Sequence, residues 1–252
     1  RLVKFLRARK GNVEDAKKML FESLRWRRRY RPERMRVGAV PCNGGRGEGH
    51  EPGEGESRGE DEGTTKKETE DYQLWAPTIS LRTWLVKLPL LCGMDRQGHA
   101  TFYIKTGLHD VKGFYRHCTG SNEAELTRVF VWVLEMATAC TMQRWENSNG
   151  LVSPMMTVTI DLYGFGSHSL LPLFVLNRIL RIFQNNYPEL LKRILVVNAP
   201  WIFSSVWKII RTFLDDHVRE KVLISSSSGK ALLDELLVYL RPESIPTFLF
   251  AA

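Results

Sequence analysis

The pattern of apolar and polar residues is most informative between residues 184 and 228. Two short β-branched runs, at residues 194–197 and 222–224, lie on either side of a segment with helical spacing. Large apolar residues cover more of this helix than one core-facing stripe requires; they are Ile202, Phe203, Val206, Trp207, Ile209, Ile210, Phe213 and Leu214. The excess predicts a helix that either is enclosed in a core or covers an apolar ligand.

The same changes of period predict the other elements of the main domain. We expect strands at residues 101–105, 155–162, 194–197 and 221–225. We expect helices at 123–145, at 170–183 with Pro172 in the first turn, at 203–214 and at 229–240. The apolar side of the first helix is formed by Leu126, Val129, Phe130, Val133, Leu134 and Ala137. Strands that alternate with helices predict an α/β fold with a mainly parallel sheet.

Residues 1–30 have a helical pattern of their own. Asn12 is a candidate N-cap with Asp15 three positions later. The predicted apolar side is formed by Val13, Ala16, Leu20 and Leu24. Lys and Arg occupy the other side, which predicts an amphipathic helix with a basic face.

The periodic pattern stops between residues 37 and 71, where Glu, Asp and Ser alternate with eight glycines at positions 44–63. Such a segment has too little apolar surface to offset the entropy lost on ordering. We therefore divide the chain into an N-terminal helical segment (1–35), a disordered acidic insertion (36–80) and a main domain (81–252). The insertion either shields the basic helix electrostatically or is an inert spacer, and we favour the spacer.

Charge is unevenly distributed: residues 1–31 carry a net charge of +9 and residues 36–71 one of −5. The basic end of the N-terminal helix contains Arg25, Arg27, Arg28, Arg29 and Arg31. Such a cluster faces the phosphates of nucleic acid, anionic lipid headgroups or only solvent. We do not expect nucleic-acid binding, because the charge lies in one helical segment with no recognised nucleic-acid motif.

Other classes of site lack the residues that they need. The four cysteines are scattered without a C-x-x-C pair, which argues against a disulfide framework and a structural zinc site, and His109, His117 and Cys118 have no standard metal-ligand spacing. No charge-free apolar run approaches the 18 or so residues of a membrane span, and the run at residues 194–207 is 14 residues long and contains Asn198 and Pro200, so we expect a soluble or peripheral protein.

No catalytic motif is complete either. The segment around Gly229-Lys230 is not a P-loop, because Ile224 stands where the first glycine is needed and Ala231 stands where Ser or Thr must follow the Lys. Ser167 and His168 are adjacent but do not form a nucleophile elbow, so we expect a loop turn there and no enzyme activity.

Several motifs together resemble the CRAL-TRIO lipid-binding family, the phosphatidylinositol-transfer type in particular. In the main domain they are Asp95 with Gly98, residues 160–164, Tyr187-Pro188-Glu189, Val197-Asn198-Ala199-Pro200 with Phe203-Ser204, and Phe213-Leu214-Asp215 with Lys221. Residues 5–10, Val13, Ala16 and Trp26-Arg27 resemble the helical segment that precedes that domain. The resemblance covers the chain except for roughly residues 36–80.

The resemblance implies a mainly parallel sheet that forms the floor of an apolar lipid pocket, a mobile gate helix over it and short N-terminal helices before it. It implies a lipid headgroup site formed by Arg9, Glu189 and Lys221. The implied gate helix and pocket residues are Phe203, Val206, Trp207, Ile210, Phe213 and Leu214, and the implied floor residues are Phe102, Met156, Val158 and Ile160. Residues 198–200 and 215–217 are the implied hinges.

The function that the resemblance implies is non-enzymatic binding of phosphatidylinositol and its transfer between membranes. We expect no cofactor other than the bound lipid, an anionic membrane surface as partner, no nucleic acid, a monomer and a cytoplasmic, peripherally membrane-associated location. The alternatives are a carrier of another lipophile, such as a sterol, tocopherol or retinoid, and a lipid-sensing recruitment module of a larger signalling protein.

This chain departs from the family at positions that affect the ligand. Val218 replaces a usual Thr, which removes one hydroxyl from the headgroup site. Met156 and Val158 stand where the choline-lipid subset uses Ser and Thr, which argues against phosphatidylcholine. The chain begins at Arg1 without an initiator Met, and we interpret it as part of a longer protein.

Overall fold

The computed structural model describes residues 2–34, 90–107, 110–119 and 123–250. The predicted disordered insertion at 36–80 and the start of the predicted main domain, 81–89, lie outside the described residues, as does His109.

Five strands and eight α-helices are present in the described part of the chain. The strands are β1 (Leu90–Met94), β2 (Ala100–Lys105), β3 (Met156–Asp161), β4 (Leu191–Val197) and β5 (Val222–Ile224). The helices are α1 (Leu2–Ala8), α2 (Val13–Tyr30), α3 (Val111–Thr119), α4 (Glu123–Asn147), α5 (Leu173–Asn186), α6 (Phe203–Ile210), α7 (Asp216–Arg219) and α8 (Gly229–Tyr239). Short 3₁₀ turns lie at Pro32–Arg34, Ser167–Ser169, Arg211–Phe213, Pro242–Ser244 and Thr247–Phe250.

The strands form one sheet in the order β1-β2-β3-β4-β5. Strands β2 to β5 are parallel, and β1 pairs antiparallel with β2. This confirms the predicted α/β fold with a mainly parallel sheet. The prediction that residues 101–105 form the first strand is wrong, because β1 precedes them. A register shift between Leu91 and Gly93 interrupts the alternation of β1, so its sequence has no clear strand period.

Helix boundaries differ from the predicted ones where proline or a tighter turn intervenes. Helix α5 begins at Leu173, with Pro172 at its N-cap, because a residue before proline is disfavoured in helical conformation. The predicted helix at 203–214 is α-helical only to Ile210 and continues as a 3₁₀ turn. Helices α3 and α7 were not predicted.

Helix α2 has the predicted N-cap but a different buried face. The side chain of Asn12 accepts hydrogen bonds from the backbone N–H groups of Glu14 and Asp15. The buried side contains Ala16, Met19 and Ser23, followed by the partly buried Trp26 and Tyr30. Their aromatic rings stack 5.1 Å apart, and burial of these large rings sets the rotation of the helix. The prediction that Val13 and Leu24 lie on the buried side is therefore wrong.

Helices cover both faces of the central strands, as the alternation of side chains along β3 requires. One face packs in a cluster that contains Phe102, Met156, Val158, Ala137, Cys140 and Tyr187. The opposite face packs in a cluster that contains Tyr103, Leu195, Leu232 and Leu236. The first cluster lies toward α4 and α5 and the second toward α8.

A buried carboxylate holds the turn between β1 and β2. Asp95 is 1% exposed and accepts hydrogen bonds from the backbone N–H groups of Gln97 and His99, both at 2.9 Å, and from the Thr157 hydroxyl at 3.0 Å. The Nδ1 atom of His99 lies 3.0 Å from Asp95 Oδ2, and its Nε2 atom lies 3.0 Å from Ser153 Oγ. Burial alone would raise the pKa of Asp95, but the hydrogen bonds and charge of His99 and the hydroxyl of Thr157 outweigh it, so the pKa lies below its ordinary value.

Asp95→Ala is expected to destabilise the protein by about 3–5 kcal/mol, because it leaves several buried donors without an acceptor. Denaturant unfolding measures this loss. Asp234→Ala, at an exposed position of α8, is the matched control and should change stability by less than about 0.5 kcal/mol.

The lowered pKa of Asp95 also gives a pH dependence. Stability from a carboxylate with a lowered folded-state pKa is present above its unfolded-state pKa and is lost as the pH falls through the folded-state value. Unfolding of Asp95→Asn should therefore show a smaller loss of stability on acidification than wild type. Equal acid sensitivity of the two proteins would contradict this role.

Candidate functional site

Helix α6, the predicted gate helix, lies directly against the sheet. Phe203 is buried in a cluster with Leu162 and Val196. Other residues packed against this cluster include Val206, Trp207 and Ile210 from the helix and Ile160, Ile194 and Val222 from the strands. Helix α6 therefore covers this part of the sheet face.

The predicted floor residues do not all lie beneath the gate. Ile160 packs against the cluster that contains Phe203 and also against the neighbouring cluster beneath α4. Phe102, Met156 and Val158 are buried in that neighbouring cluster. Ile160 and Ile194 thus connect two parts of one apolar layer on the same face of the sheet.

The exposed side of α6 and of the two residues before it is also apolar. Trp201 is 86% exposed, and Ile202 and Ile209 are exposed as well. Trp201, Ile202 and Ile209 were not among the predicted gate residues; of those that were, Leu214 is buried and Phe213 is partly buried. Apolar surface on both sides of α6 agrees with the excess of large residues in its sequence.

The first hinge region is fixed by a buried carboxylate at the end of β3. Asn198 has a φ of 52°, which is uncommon for a residue other than glycine. Its side-chain amide donates to Asp161 Oδ1 at 2.8 Å. Asp161 also accepts from the Tyr103 hydroxyl at 2.5 Å and from the backbone N–H of Tyr163 at 2.9 Å. Because Asp161 is buried, these bonds hold the chain in place where it enters the gate.

The second hinge region is held by one side chain from α5. Gln184 donates to the carbonyl of Phe213 at 2.9 Å and accepts from the backbone N–H of Asp215 at 2.6 Å. Gln184 is buried, so it satisfies two backbone groups on either side of Leu214. The end of the gate segment is thus fixed to α5.

The three predicted headgroup residues come together next to this hinge. Arg9 follows α1, Glu189 precedes β4 and Lys221 precedes β5, yet all three line one cavity of about 30 Å³. The other lining residues are Ala8, Phe183, Gln184, Tyr187, Pro188, Leu191, Asp215, His217 and Val218. We call this cavity the polar basin. Its volume corresponds to about two water molecules.

Each cation of the polar basin lies near a carboxylate. Arg9 Nη1 lies 3.3 Å from Asp215 Oδ2. Lys221 Nζ donates to the carbonyl of Leu191 at 2.8 Å and lies 3.7 Å from Glu189 Oε1. That same Glu189 oxygen lies 2.6 Å from His217 Nε2. The basin is therefore a set of mutually compensating charges.

Two features of the polar basin carry an energetic cost. Glu189 has a φ of 55°, a strained conformation for a residue with a side chain. Burial lowers the pKa of Lys221, although the charge and hydrogen bond of Glu189 act in the opposite direction. Strain and a partly desolvated cation in one place are typical of binding sites.

Sequence reasoning did not identify all members of the polar basin. Asp215 and His217 were predicted as hinge residues only, and their contacts with Arg9 and Glu189 were not foreseen. Gln184 had no signal, because a glutamine near a helix end is ordinarily solvated. Val218, which stands where the family usually has a Thr, lines the basin, so this chain has no hydroxyl at that position of the cavity wall.

One of the predicted basic-face residues has a structural role instead. Arg27 Nη2 lies 3.0 Å from Glu135 Oε1 on α4, and its guanidinium carbon lies 5.3 Å from the centre of the Tyr187 ring. The Tyr187 hydroxyl donates to the same glutamate at 2.8 Å. Arg27 therefore attaches α2 to the main domain, and its inclusion in a phosphate-facing cluster is wrong.

The loop that contains His168 is held by hydrogen bonds to the backbone. His168 Nε2 lies 2.9 Å from the carbonyl oxygen of Gly107, and the Ser169 hydroxyl donates to the same oxygen.

Among the helices in the described ranges, none combines the length and apolar character that crossing a bilayer requires.

Comparison with known proteins gives a consistent result. Residues 87–249 match the family model described as the CRAL/TRIO domain, and residues 2–22 match that of the CRAL/TRIO N-terminal domain. Patellin-6 of Arabidopsis thaliana is 26% identical over 245 residues, which are 97% of this chain and 49% of that protein. The phosphatidylinositol transfer protein CSR1 of Eremothecium gossypii is 25% identical over 246 residues, which are 97% of this chain and 45% of that protein.

The crystal structure of Sfh5 matches with a TM-score of 0.57 and 18% identity, and covers 91% of this chain and 64% of that one. At this identity the likeness concerns the fold. The chain spans less than half of the length of Patellin-6 or CSR1.

Gln184→Met is expected to loosen the end of the gate segment, because it leaves the Phe213 carbonyl and the Asp215 N–H unpaired. Removal of such bonds costs about 1–3 kcal/mol, so amide exchange at residues 211–216 should accelerate by about tenfold or more. Hydrogen exchange measures this effect. The adjacent exposed Asn185→Met is the control, and equal protection in both variants would contradict the proposed anchoring.

Proposed function

The chain belongs to the CRAL/TRIO family of lipid-binding and lipid-transfer domains, and from this membership and the geometry above we propose that it binds phosphatidylinositol and exchanges it between membranes. The proposed exchange involves no covalent chemistry. It takes place at the cytoplasmic surface of membranes, with the protein peripherally associated.

The convergence of Arg9, Glu189 and Lys221 in one basin is the observation that carries this proposal. These residues are distant in the sequence and adjacent in the fold. A guanidinium and an ammonium suit the phosphate of an inositol phospholipid, and a carboxylate suits the ring hydroxyls. The same side chains in isolation would be ordinary surface charges.

Headgroup binding would require the basin to open, because its present volume holds only about two waters. The exposed side of the basin offers the simplest change. Asp215 is more exposed than Arg9, so a phosphate can replace it as the partner of Arg9 while Asp215 moves into solvent. The cation then exchanges one charge-assisted hydrogen bond for another.

This replacement would connect the headgroup to the gate. Asp215 is both the carboxylate partner of Arg9 and the residue whose backbone N–H is held by Gln184. A phosphate at Arg9 therefore removes one of the contacts that fix the second hinge region. Headgroup arrival and release of the gate would be coupled through this one residue.

The acyl chains would occupy the apolar layer that α6 now covers. Exposure of an acyl chain to water costs about 0.8 kcal/mol per methylene, whereas passage from a bilayer to an apolar cavity nearly balances that cost. The gate should therefore open at a membrane and close on the loaded protein. The exposed apolar side chains of Ile209 on α6 and of Trp201 just before it are suited to contact with lipid during opening.

A carrier of an uncharged lipophile is a second candidate, and the charge balance of the polar basin favours it. Arg9 and Lys221 already have carboxylate neighbours, as a site for a sterol, tocopherol or retinoid would allow. Mass spectrometry of the lipid that copurifies with the protein separates the two candidates. Phosphatidylinositol supports the first, and a neutral lipophile supports the second.

A lipid-sensing module is a third candidate, because the chain corresponds to less than half of the relatives described above. Sensing and transfer differ in kinetics. Firm liposome binding with negligible vesicle-to-vesicle transfer would favour sensing.

Lys221→Met is expected to slow phosphatidylinositol transfer between vesicles by about tenfold or more, since it removes a charge-assisted contact to the phosphate and retains the side-chain volume. A fluorescent phosphatidylinositol transfer assay measures the rate. Lys230→Met, at an exposed position of α8, is the matched control and should transfer like wild type.

Thermal unfolding should show that Lys221→Met remains folded. Transfer at the wild-type rate by a folded variant would remove Lys221 from the headgroup site. Equal slowing by Lys230→Met would point to a general charge effect instead.

A further inference from the structure

The outer side of α2 carries an unusual mixture of side chains. Val13, Phe21 and Leu24 are 54%, 59% and 52% exposed. At 100° per residue they lie within one stripe about 80° wide, together with Lys17 and Arg28. Apolar and cationic residues thus share the helix side opposite to the buried one.

Further cations border this stripe. Lys18, Arg25 and Arg29 are exposed and follow one edge of it. The nearby acids are Glu14, which pairs with Lys17 at 2.9 Å, and Glu22. For Arg25, Arg28 and Arg29 no ion pair occurs within the described residues. The C-terminal half of the stripe is therefore strongly positive around Phe21 and Leu24.

The packing of the chain explains the buried side of α2 but not this one. Ala16, Met19 and Ser23 are buried, Trp26 packs against the main domain, and Arg27 is held by Glu135. Exposure of a phenylalanine and a leucine to water gives no stabilisation to the fold. Their position among arginines is typical of helices that lie in a membrane interface.

Charge complementarity identifies the partner more closely. Nucleic-acid phosphates would satisfy the cations but would offer no apolar surface to Phe21 and Leu24. An anionic bilayer satisfies both sets of side chains, because its headgroups attract the arginines and its acyl boundary accepts the apolar groups.

We propose that this outer side of α2, defined by Val13, Lys17, Phe21, Leu24, Arg25 and Arg28, is a docking surface for anionic membranes. It is separate from the gate helix and from the polar basin. It goes beyond the proposed ligand exchange, because it fixes where the protein rests on the bilayer whichever lipid it carries.

The test uses the full chain with vesicles of phosphatidylcholine alone or mixed with phosphatidylserine, a lipid that is not the proposed ligand. Arg25→Gln/Arg28→Gln should weaken partition onto the mixed vesicles by about thirtyfold, with a shallower salt dependence, and should not affect the neutral vesicles. Phe21→Ser/Leu24→Ser should weaken partition onto both. Val238→Ser/Lys230→Gln, a matched exposed pair on α8, should partition like wild type.

Thermal unfolding and the amount of copurified lipid are measured on every variant. An α2 variant that keeps the wild-type amount of copurified lipid but loses vesicle binding supports the docking surface. Absence of copurified phosphatidylinositol from wild type and variants alike would count against the proposed ligand and not against the surface. Wild-type partition by both α2 variants, or equal partition of wild type onto the two kinds of vesicle, would overturn the proposal. Tight DNA binding that needs Arg25 and Arg28 but not Phe21 and Leu24 would also overturn it.

Discussion

Contact between α6, the proposed gate helix, and one face of the sheet is the constraint on which the other features depend. Phe203 is buried against Val196 and Leu162, and Val206, Trp207 and Ile210 extend the same contact. Burial of one large apolar side chain contributes about 1.5–3 kcal/mol, so lifting this helix into water is unfavourable by several kcal/mol. Only an environment that offers apolar surface, such as a bilayer or an acyl chain, compensates for the loss. The proposed gate, closed in water and open at a membrane, depends on this one contact.

The ends of the gate segment show how such a movement can be confined. Asn198 and Asp161 fix the entry, and Gln184 fixes the exit. Both anchors are hydrogen bonds to buried side chains, which are directional and can be exchanged without unpacking the sheet. The polar basin adjoins the C-terminal end of the gate segment, and Asp215 belongs both to the basin and to that end. Charge chemistry and apolar packing therefore meet at a single short segment.

Much of the fold could be predicted from periodicity. The alternation of strands and helices between residues 101 and 240 predicted a mainly parallel sheet, which β2 to β5 form. The bulged β1 could not be predicted, because its register shift breaks the alternation. The predicted rotation of α2 was wrong because the large rings of Trp26 and Tyr30, and not Leu24, lie on the buried side. The assignment of Arg9, Glu189 and Lys221 to one site came from resemblance, and the contacts of these residues depend on long-range packing that no local pattern encodes. Gln184 is the clearest case, since only the fold brings it to Phe213 and Asp215.

The central claim is that the apolar part of the ligand lies between α6 and the sheet. A phosphatidylinositol with a photoactivatable group near the end of an acyl chain tests it directly, with the labelled peptides identified by mass spectrometry. The account predicts labelling of the gate segment at residues 203–214 and of β3 and β4. Labelling confined to other surfaces, with the peptides of α6, β3 and β4 unmodified, would contradict it.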